Sequence, residues 1–205
     1  NFSFVVTPPI MGGTATFTTE EATGQGSGTL TYTFGVTIPA LRKFDFNGTS
    51  NATQAGWTGV RGTTTYSASA GYGWQVAVSE FQRSTTGLSK TSTSLYRDGN
   101  LGTSAGVFRV LVQAGTAYDV RIYVGDRDYA RENIRLTHED GTTCEDVPPT
   151  GKNVFTSVTL IGISDTNGDG IINLTISDLG GATPYWVLNG LEIAESVAAL
   201  RGQGP

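Results

Sequence analysis

The residues with the clearest chemical potential lie between 165 and 170. Asp165-Thr166-Asn167-Gly168-Asp169-Gly170 sets side-chain oxygens at alternate positions and includes a glycine that permits a sharp turn, which is the first half of a calcium loop. The second half differs. With Asp165 as the first position, the closing bidentate glutamate expected at the twelfth is Ile176, and from Ile171 onward the chain alternates like a strand. An Asn-Gly-Asp-Gly tip also meets the needs of an ordinary hairpin. Both readings stand on the sequence: a plain hairpin tip, and a tip that in addition holds structural Ca2+ through Asp165, Asn167 and Asp169.

Catalysis needs a base, and the sequence is poor in them. His138 is the single histidine, and Thr137-His138-Glu139-Asp140-Gly141 is a polar run ending in a turn glycine, which predicts an exposed loop residue. Gly102-Thr103-Ser104-Ala105-Gly106 has the Gly-x-Ser-x-Gly spacing but leads into the strand pattern Phe108 to Val112 and not into a helix, so it reads as no nucleophile elbow, and His-Glu-x-x-His and phosphate-cradling loops are absent from the sequence. Glycosidase chemistry needs two carboxylates, and Asp126, Asp128 and Glu132 are available, but such enzymes are usually larger than the strand-rich body described below. The expectation is a protein that is not an enzyme. Cys144, the one cysteine, permits no intrachain disulfide and no thiolate zinc cluster and reads as a small structural thiol.

Aromatic residues beside glycines carry more information. Tyr66-Ser67-Ala68-Ser69-Ala70-Gly71-Tyr72-Gly73-Trp74 and Pro184-Tyr185-Trp186 place large rings next to turn residues, where a flat face can be shown to a sugar ring with hydrogen-bonding groups around it. The competing reading is that these rings cap the ends of the core. Tyr129 differs again, because it sits in Asp126-Arg127-Asp128-Tyr129-Ala130-Arg131, where charged neighbours predict an at least partly exposed ring.

The elements that must position these residues are strands. Phe108, Val110 and Val112 alternate with Arg109 and Leu111; after a turn at Gly115, Tyr118, Val120, Ile122 and Val124 alternate with Asp119, Arg121 and Tyr123. Val154, Thr156, Val158 and Leu160 predict a further strand. Ile172, Leu174 and Ile176 predict another, and Val187, Asn189, Leu191 and Ile193 a last one. Gly numbers 28, Thr and Ser are abundant and charged residues make up only 15%, a mix suited to many short strands and tight turns. An all-β, antiparallel β-sandwich or jelly roll is predicted.

Three segments are predicted. Residues 1–40 form a β-hairpin, Thr14 to Thr18 and Thr29 to Val36 around Gly24, Gly26 and Gly28, as extra strands of the main domain or the tail of a preceding one; 41–195 form the sandwich; and 196–205 read as linker. A formal net charge of −5 without any Lys/Arg run lacks the footprint of a nucleic-acid binder. No apolar run approaches the ~18 residues of a membrane span, and NFSFVVTPPI lacks a signal peptide's basic start. The composition suggests a module cut from a secreted or cell-surface protein, with other domains of the same polypeptide as neighbours.

Four runs resemble malectin-like domains of the galactose-binding-like jelly-roll group. They are Ser94-Leu95-Tyr96-Arg97-Asp98, Val107 to Val110, Gly115 to Asp126, and Trp186-Val187-Leu188-Asn189-Gly190-Leu191-Glu192-Ile193. The likeness covers most of residues 43 to 194, and Phe44-Asp45-Phe46-Asn47 with Tyr66 to Trp74 is similar to a bacterial variant found beside polysaccharide-degrading enzymes and in large secreted proteins. It implies a jelly roll that binds glycans through loops at one edge. In such domains aromatic sugar contacts follow the strand that here ends Val124-Gly125-Asp126; Tyr129 matches one, with Asp128 or Arg131 as polar partners, and Tyr96 falls in the other ligand segment. The family shows an aromatic where this chain has Asp128. The resulting expectation is a non-catalytic carbohydrate-binding module using Tyr129, Asp128, Arg131, Asp126, Tyr96, Tyr72, Trp74, Tyr185 and Trp186. The alternative is a structural or adhesion domain, calcium-stabilised at the tip, whose rings serve only the core.

Overall fold

Alternation decides which way each strand faces. Tyr118, Val120, Ile122 and Val124 are buried, while Asp119, Arg121 and Tyr123 between them are not. The computed structural model describes residues 13–20, 27–34 and 41–196, and the chain divides into two units, Asn1–Pro39 and Ala40–Pro205.

In the first unit β1 (Gly13–Glu20) pairs antiparallel with β2 (Ser27–Phe34), Phe17 opposite Leu30 and Thr19 opposite Gly28. Gly28 therefore belongs to a strand rather than to the turn; Gly24, Gly26 and Val36 lie outside the described residues.

The second unit continues with β3 (Arg42–Asn47), β4 (Thr58–Arg61), β5 (Tyr72–Trp74), β6 (Ser79–Gln82), α1 (Thr93–Tyr96), β7 (Asp98–Gly102), β8 (Gly106–Leu111) and β9 (Tyr118–Asp126). It ends with β10 (Ile134–His138), β11 (Cys144–Asp146), β12 (Val154–Ile163), β13 (Ile171–Asp178), β14 (Trp186–Leu188) and β15 (Gly190–Glu195). One five-stranded sheet has the order β11-β10-β13-β8-β5 and another β12-β9-β15-β3-β4, while β14-β7-β6 forms a third. Pairing is antiparallel except between β3 and β4. The two large sheets face each other through Phe44 and Phe46 of one, 5.4 and 5.1 Å from Phe108 of the other. Around them Ile122, Val124, Leu136, Ile172, Leu174 and Ile176 complete a core that can exclude water on its own. The Ala40–Pro205 unit is an all-β antiparallel sandwich, as the alternation predicts.

Four local expectations need correction. The run from Val187 to Ile193 is two strands, because the chain leaves the small sheet after Leu188 and enters a large one at Gly190; Asn189 sits buried at the break. In β12 Val154 is exposed and Phe155 buried, so at the start of the strand the inward face is the opposite of the one the alternation assigns, with Phe155 packed over Gly125 of β9. His138 is buried rather than looped out: it ends β10 opposite Leu174, with Nδ1 3.3 Å from Asp140. Cys144 is exposed on β11. The predicted linker beyond Ser196 lies outside the described residues.

Candidate functional site

β9 ends in Asp126, which is fully buried. Arg83 grips it with both prongs, Nε donating to Oδ1 and Nη2 to Oδ2 at 2.8 Å each; Arg131 Nη2 donates to Oδ2 at 2.5 Å, and the Asp128 N–H to Oδ1 at 2.9 Å. Burial alone would raise this carboxyl, but the bonds from Arg83, Arg131 and Asp128 overcome it and hold Asp126 below its usual range. Two guanidiniums thus share one carboxylate.

Tyr129 is seated on this triad. Its ring centroid lies 5.1 Å from the Arg83 guanidinium carbon and 5.3 Å from that of Arg131, distances at which a cation is attracted to a ring face. The residue is nevertheless 51% exposed. Asp128 beside it is partly exposed and bonded to Arg127 Nη1 at 2.6 Å.

The connection from β6 to α1 walls one side of the triad. Arg127 Nε and Nη2 donate to the Thr86 carbonyl at 3.1 and 2.7 Å, and Asn153, at a positive φ of 60°, donates to the Gly87 carbonyl and accepts from the Ser89 N–H. The same connection leads to Tyr96, whose ring packs 4.8 Å from Phe155 and 6.3 Å from Tyr123, with Lys90 at 5.6 Å. Gly125 makes this stacking possible: a Cβ there would lie 2.4 Å from the Phe155 ring. On the other side, Thr183 Oγ1 donates to the Ala130 carbonyl at 3.4 Å and the Ala182 N–H to Glu132 at 2.6 Å, so the loop carrying Tyr185, itself 40% exposed, flanks the segment after Tyr129.

Asp126, Asp128, Tyr129 and Arg131 therefore meet in one place, with Tyr96 and Tyr185 on its flanks. The other proposed rings do not join them. Trp74 and Trp186 are fully buried, 5.5 Å apart, their indole N–H groups donating to Asn100 Oδ1 and the Ser104 carbonyl; neither can serve as a sugar wall. Glycines explain why: a Cβ at Gly102 or Gly106 would come within 2.7 Å of the Trp186 ring, so their bare backbones let the indole into the core. Tyr72 packs on Phe44 and under Arg42, at the level of Val110 and away from Asp126. A groove of about 600 Å3 between the β5–β6 and β7–β8 connections is lined by Val76, Val78, Leu101, Thr103 and the Trp186 edge, with no charged side chain, and Tyr129 does not reach it.

Arg83, Arg127 and Asn153 were missed from the sequence. Arg83 lies 43 residues before Asp126 in a stretch without periodic signal, and a pairing at that range leaves no local trace.

At 165–170 the tip's oxygens serve its own backbone. Asp165 Oδ1 and Oδ2 accept from the Gly168 and Gly170 N–H groups at 2.8 and 2.6 Å, Asn167 Oδ1 from Asp169, and Asp169 Oδ1 from Ile171. Glu139 secures the base by accepting from Thr166 and Asn173.

The sequence matches no protein-family model and no curated protein. Solved structures do match. Bacillus subtilis YxiM is 23% identical with a TM-score of 0.54, over 76% of this chain and 40% of that one. The ectodomain of Arabidopsis thaliana ANX2 is 18% identical with a TM-score of 0.53, over 76% and 50%. A calcium-binding mutant of Bacteroides uniformis β-glucuronidase 2 is 13% identical with a TM-score of 0.55, over 89% and 22%. The chain thus spans half or less of each of these proteins, and at such identities the likeness shows the fold. That fold is the all-β antiparallel sandwich described above. Among the described residues no helix is long and apolar enough to cross a membrane.

Proposed function

We propose that the Ala40–Pro205 unit is a non-catalytic module that binds a glycan at the Asp126 end of the sandwich. The observation that carries the reading is Tyr129: a ring half in solvent, kept in place by two guanidiniums that are themselves fixed by a buried carboxylate. A ring ordered before the ligand arrives loses little entropy on binding. Asp128 accepts from sugar hydroxyls, and Tyr96 and Tyr185 border the ligand. Affinity is expected in the micromolar range or weaker, as stacking with few hydrogen bonds gives. The Gly-x-Ser-x-Gly match at Gly102–Gly106 joins β7 to β8 rather than a strand to a helix, which supports a binding rather than a catalytic role. The proposal extends to a secreted or cell-surface location, which the extracellular ANX ectodomains support, to other domains of the same polypeptide as neighbours, and to neither nucleic acid nor membrane insertion. Calcium at Asp165, Asn167 and Asp169 belongs to it too, since each oxygen keeps a lone pair beyond those its backbone bonds use.

The test is a broad glycan array with the full chain, followed by titration of the strongest hit with Tyr129→Ala. Binding should weaken by roughly 1–3 kcal/mol with the melt almost unchanged. Full binding with a normal melt removes Tyr129 from the site, and unfolding makes it a structural ring. A structural or adhesive domain is the second reading, favoured by the burial of Trp74 and Trp186; self-association without binding to any glycan would establish it.

A further inference from the structure

Away from the Asp126 triad, a second polar cluster lies under the β3–β4 connection. β3 turns Phe44 and Phe46 into the core, so Asp45 and Asn47 take its other face, and the connection folds over them. The Gln54 N–H donates to Asp45 Oδ2 at 2.6 Å, and Asn47 Nδ2 to Thr53 Oγ1 at 3.2 Å and to the Asp45 carbonyl at 3.0 Å. Asp98, opening β7, accepts at Oδ2 from the Gly48 N–H (2.9 Å) and from Asn51 Nδ2 (2.6 Å). Asn189, at the β14–β15 break, donates Nδ2 to the Asp98 carbonyl at 2.7 Å and accepts the Phe46 N–H at its own carbonyl.

One oxygen of each of these four side chains is left over. Asp45, Asn47, Asp98 and Asn189 are at most 3% exposed, yet the Oδ1 atom of each finds no donor among the described residues. Turning the amides would not help, because each Nδ2 group already donates to a backbone carbonyl, of Asp45 and of Asp98, that only a donor can satisfy. A buried acceptor without a partner costs about 1–3 kcal/mol, and more when charged, so four in one cluster call for a missing partner. Arg97 is the neighbouring cation and favours both carboxylates, but burial prevails and raises Asp45 to about 7 and Asp98 to about 6. Two anionic and two neutral hard oxygens, without sulfur or imidazole, suit Ca2+, which accepts irregular oxygen cages that the strict octahedron of Mg2+ does not.

We propose that Asp45, Asn47, Asp98 and Asn189 form a buried Ca2+ site that clamps the β3–β4 connection to the starts of β7 and β15. The site is separate from the 165–170 tip and independent of the glycan reading. The test uses the full chain carrying Asp165→Asn and Asp169→Asn, which silences the tip. After chelation at pH 8, Ca2+ at about 100 times its Kd should raise Tm by roughly 5–10 °C, with one ion bound per chain in calorimetry and a far smaller response to Mg2+. Adding Asp45→Asn and Asp98→Asn should abolish the calcium response while leaving the melt in chelator no lower, since each substitution discards a buried charge whose burial outweighs the help it has from Arg97. If that variant folds poorly, Asn47→Ser in the silenced chain should weaken calcium affinity at least tenfold. A silenced chain that binds no ion and melts alike with calcium and chelator overturns the proposal, as does a calcium response that survives loss of both carboxylates.

Discussion

Replacing Asp126 by asparagine keeps the side chain's shape and removes its charge, which isolates the electrostatics of the Tyr129 platform. The native carboxylate accepts from Arg83 Nε and Nη2, Arg131 Nη2 and the Asp128 N–H. Asparagine retains one acceptor oxygen and sets an NH2 group against at least one guanidinium donor. The Arg131 and Arg83 side chains are only 4% and 17% exposed, so water replaces little of what is lost. Breaking a buried ion pair on one side costs about 3–5 kcal/mol, which for a domain of this size corresponds to a Tm lower by roughly 6–20 °C. The same change should release Tyr129 from its two cations, so glycan affinity should fall alongside stability. Differential scanning calorimetry with glycan titration reads both quantities. Compensation provides the control: Arg131→Met in the Asp126→Asn background removes one stranded cation and should recover part of the melt. An Asp126→Asn variant melting within about 2 °C of the parent would refute the view that this carboxylate carries the platform.

Trp186→Ala should cost about 3–5 kcal/mol in urea unfolding, because a fully buried indole leaves a cavity; a loss below about 1 kcal/mol would contradict its place in the core. Gly125→Ala should destabilise by about 1–3 kcal/mol and disturb Tyr96, since the added methyl meets the Phe155 ring; an unchanged melt and tyrosine fluorescence would show that β12 shifts freely. In chelator the pH dependence should have two limbs. Asp45 and Asp98 have folded pKa values raised to about 7 and about 6, so protons favour the folded state and Tm should rise as pH falls from 8 toward 4. Asp126 is depressed, so the stability it contributes is present above the ordinary carboxylate pKa of about 3.9 and lost as pH falls through its lower folded value. A melt that is flat between pH 8 and 5 would remove the first limb. At the tip, Asp165→Ala should lower Tm modestly through two lost backbone bonds and reduce any calcium-induced gain from that loop; equal calcium responses in parent and variant would remove the tip from calcium binding.

The strand pattern was written locally. Val120, Ile122 and Val124, or Ile172, Leu174 and Ile176, declare one buried face by a two-residue period that needs no knowledge of the partner sheet. The exposure of Tyr129 was legible for a similar reason, as its charged neighbours hold the segment at the surface. What escaped depended on partners far along the chain. Trp74, beside turn-forming glycines, looked available to a ligand, and the bare backbones of Gly102 and Gly106, beneath Trp186 against which Trp74 packs, let both indoles into the core. His138 sits in a polar run but is buried because β10 extends to it and it takes the inward face with Ile134 and Leu136. Asn189 looked like one more alternating position, yet it marks where the chain changes sheets and turns its amide toward Asp98, 91 residues away. Arg83 and Asp126 likewise meet only because the β6–α1 connection crosses the end of β9. Periodicity reports which face of a strand avoids water; which charges and rings gather at a strand's end is set by chain crossings that no sequence window contains.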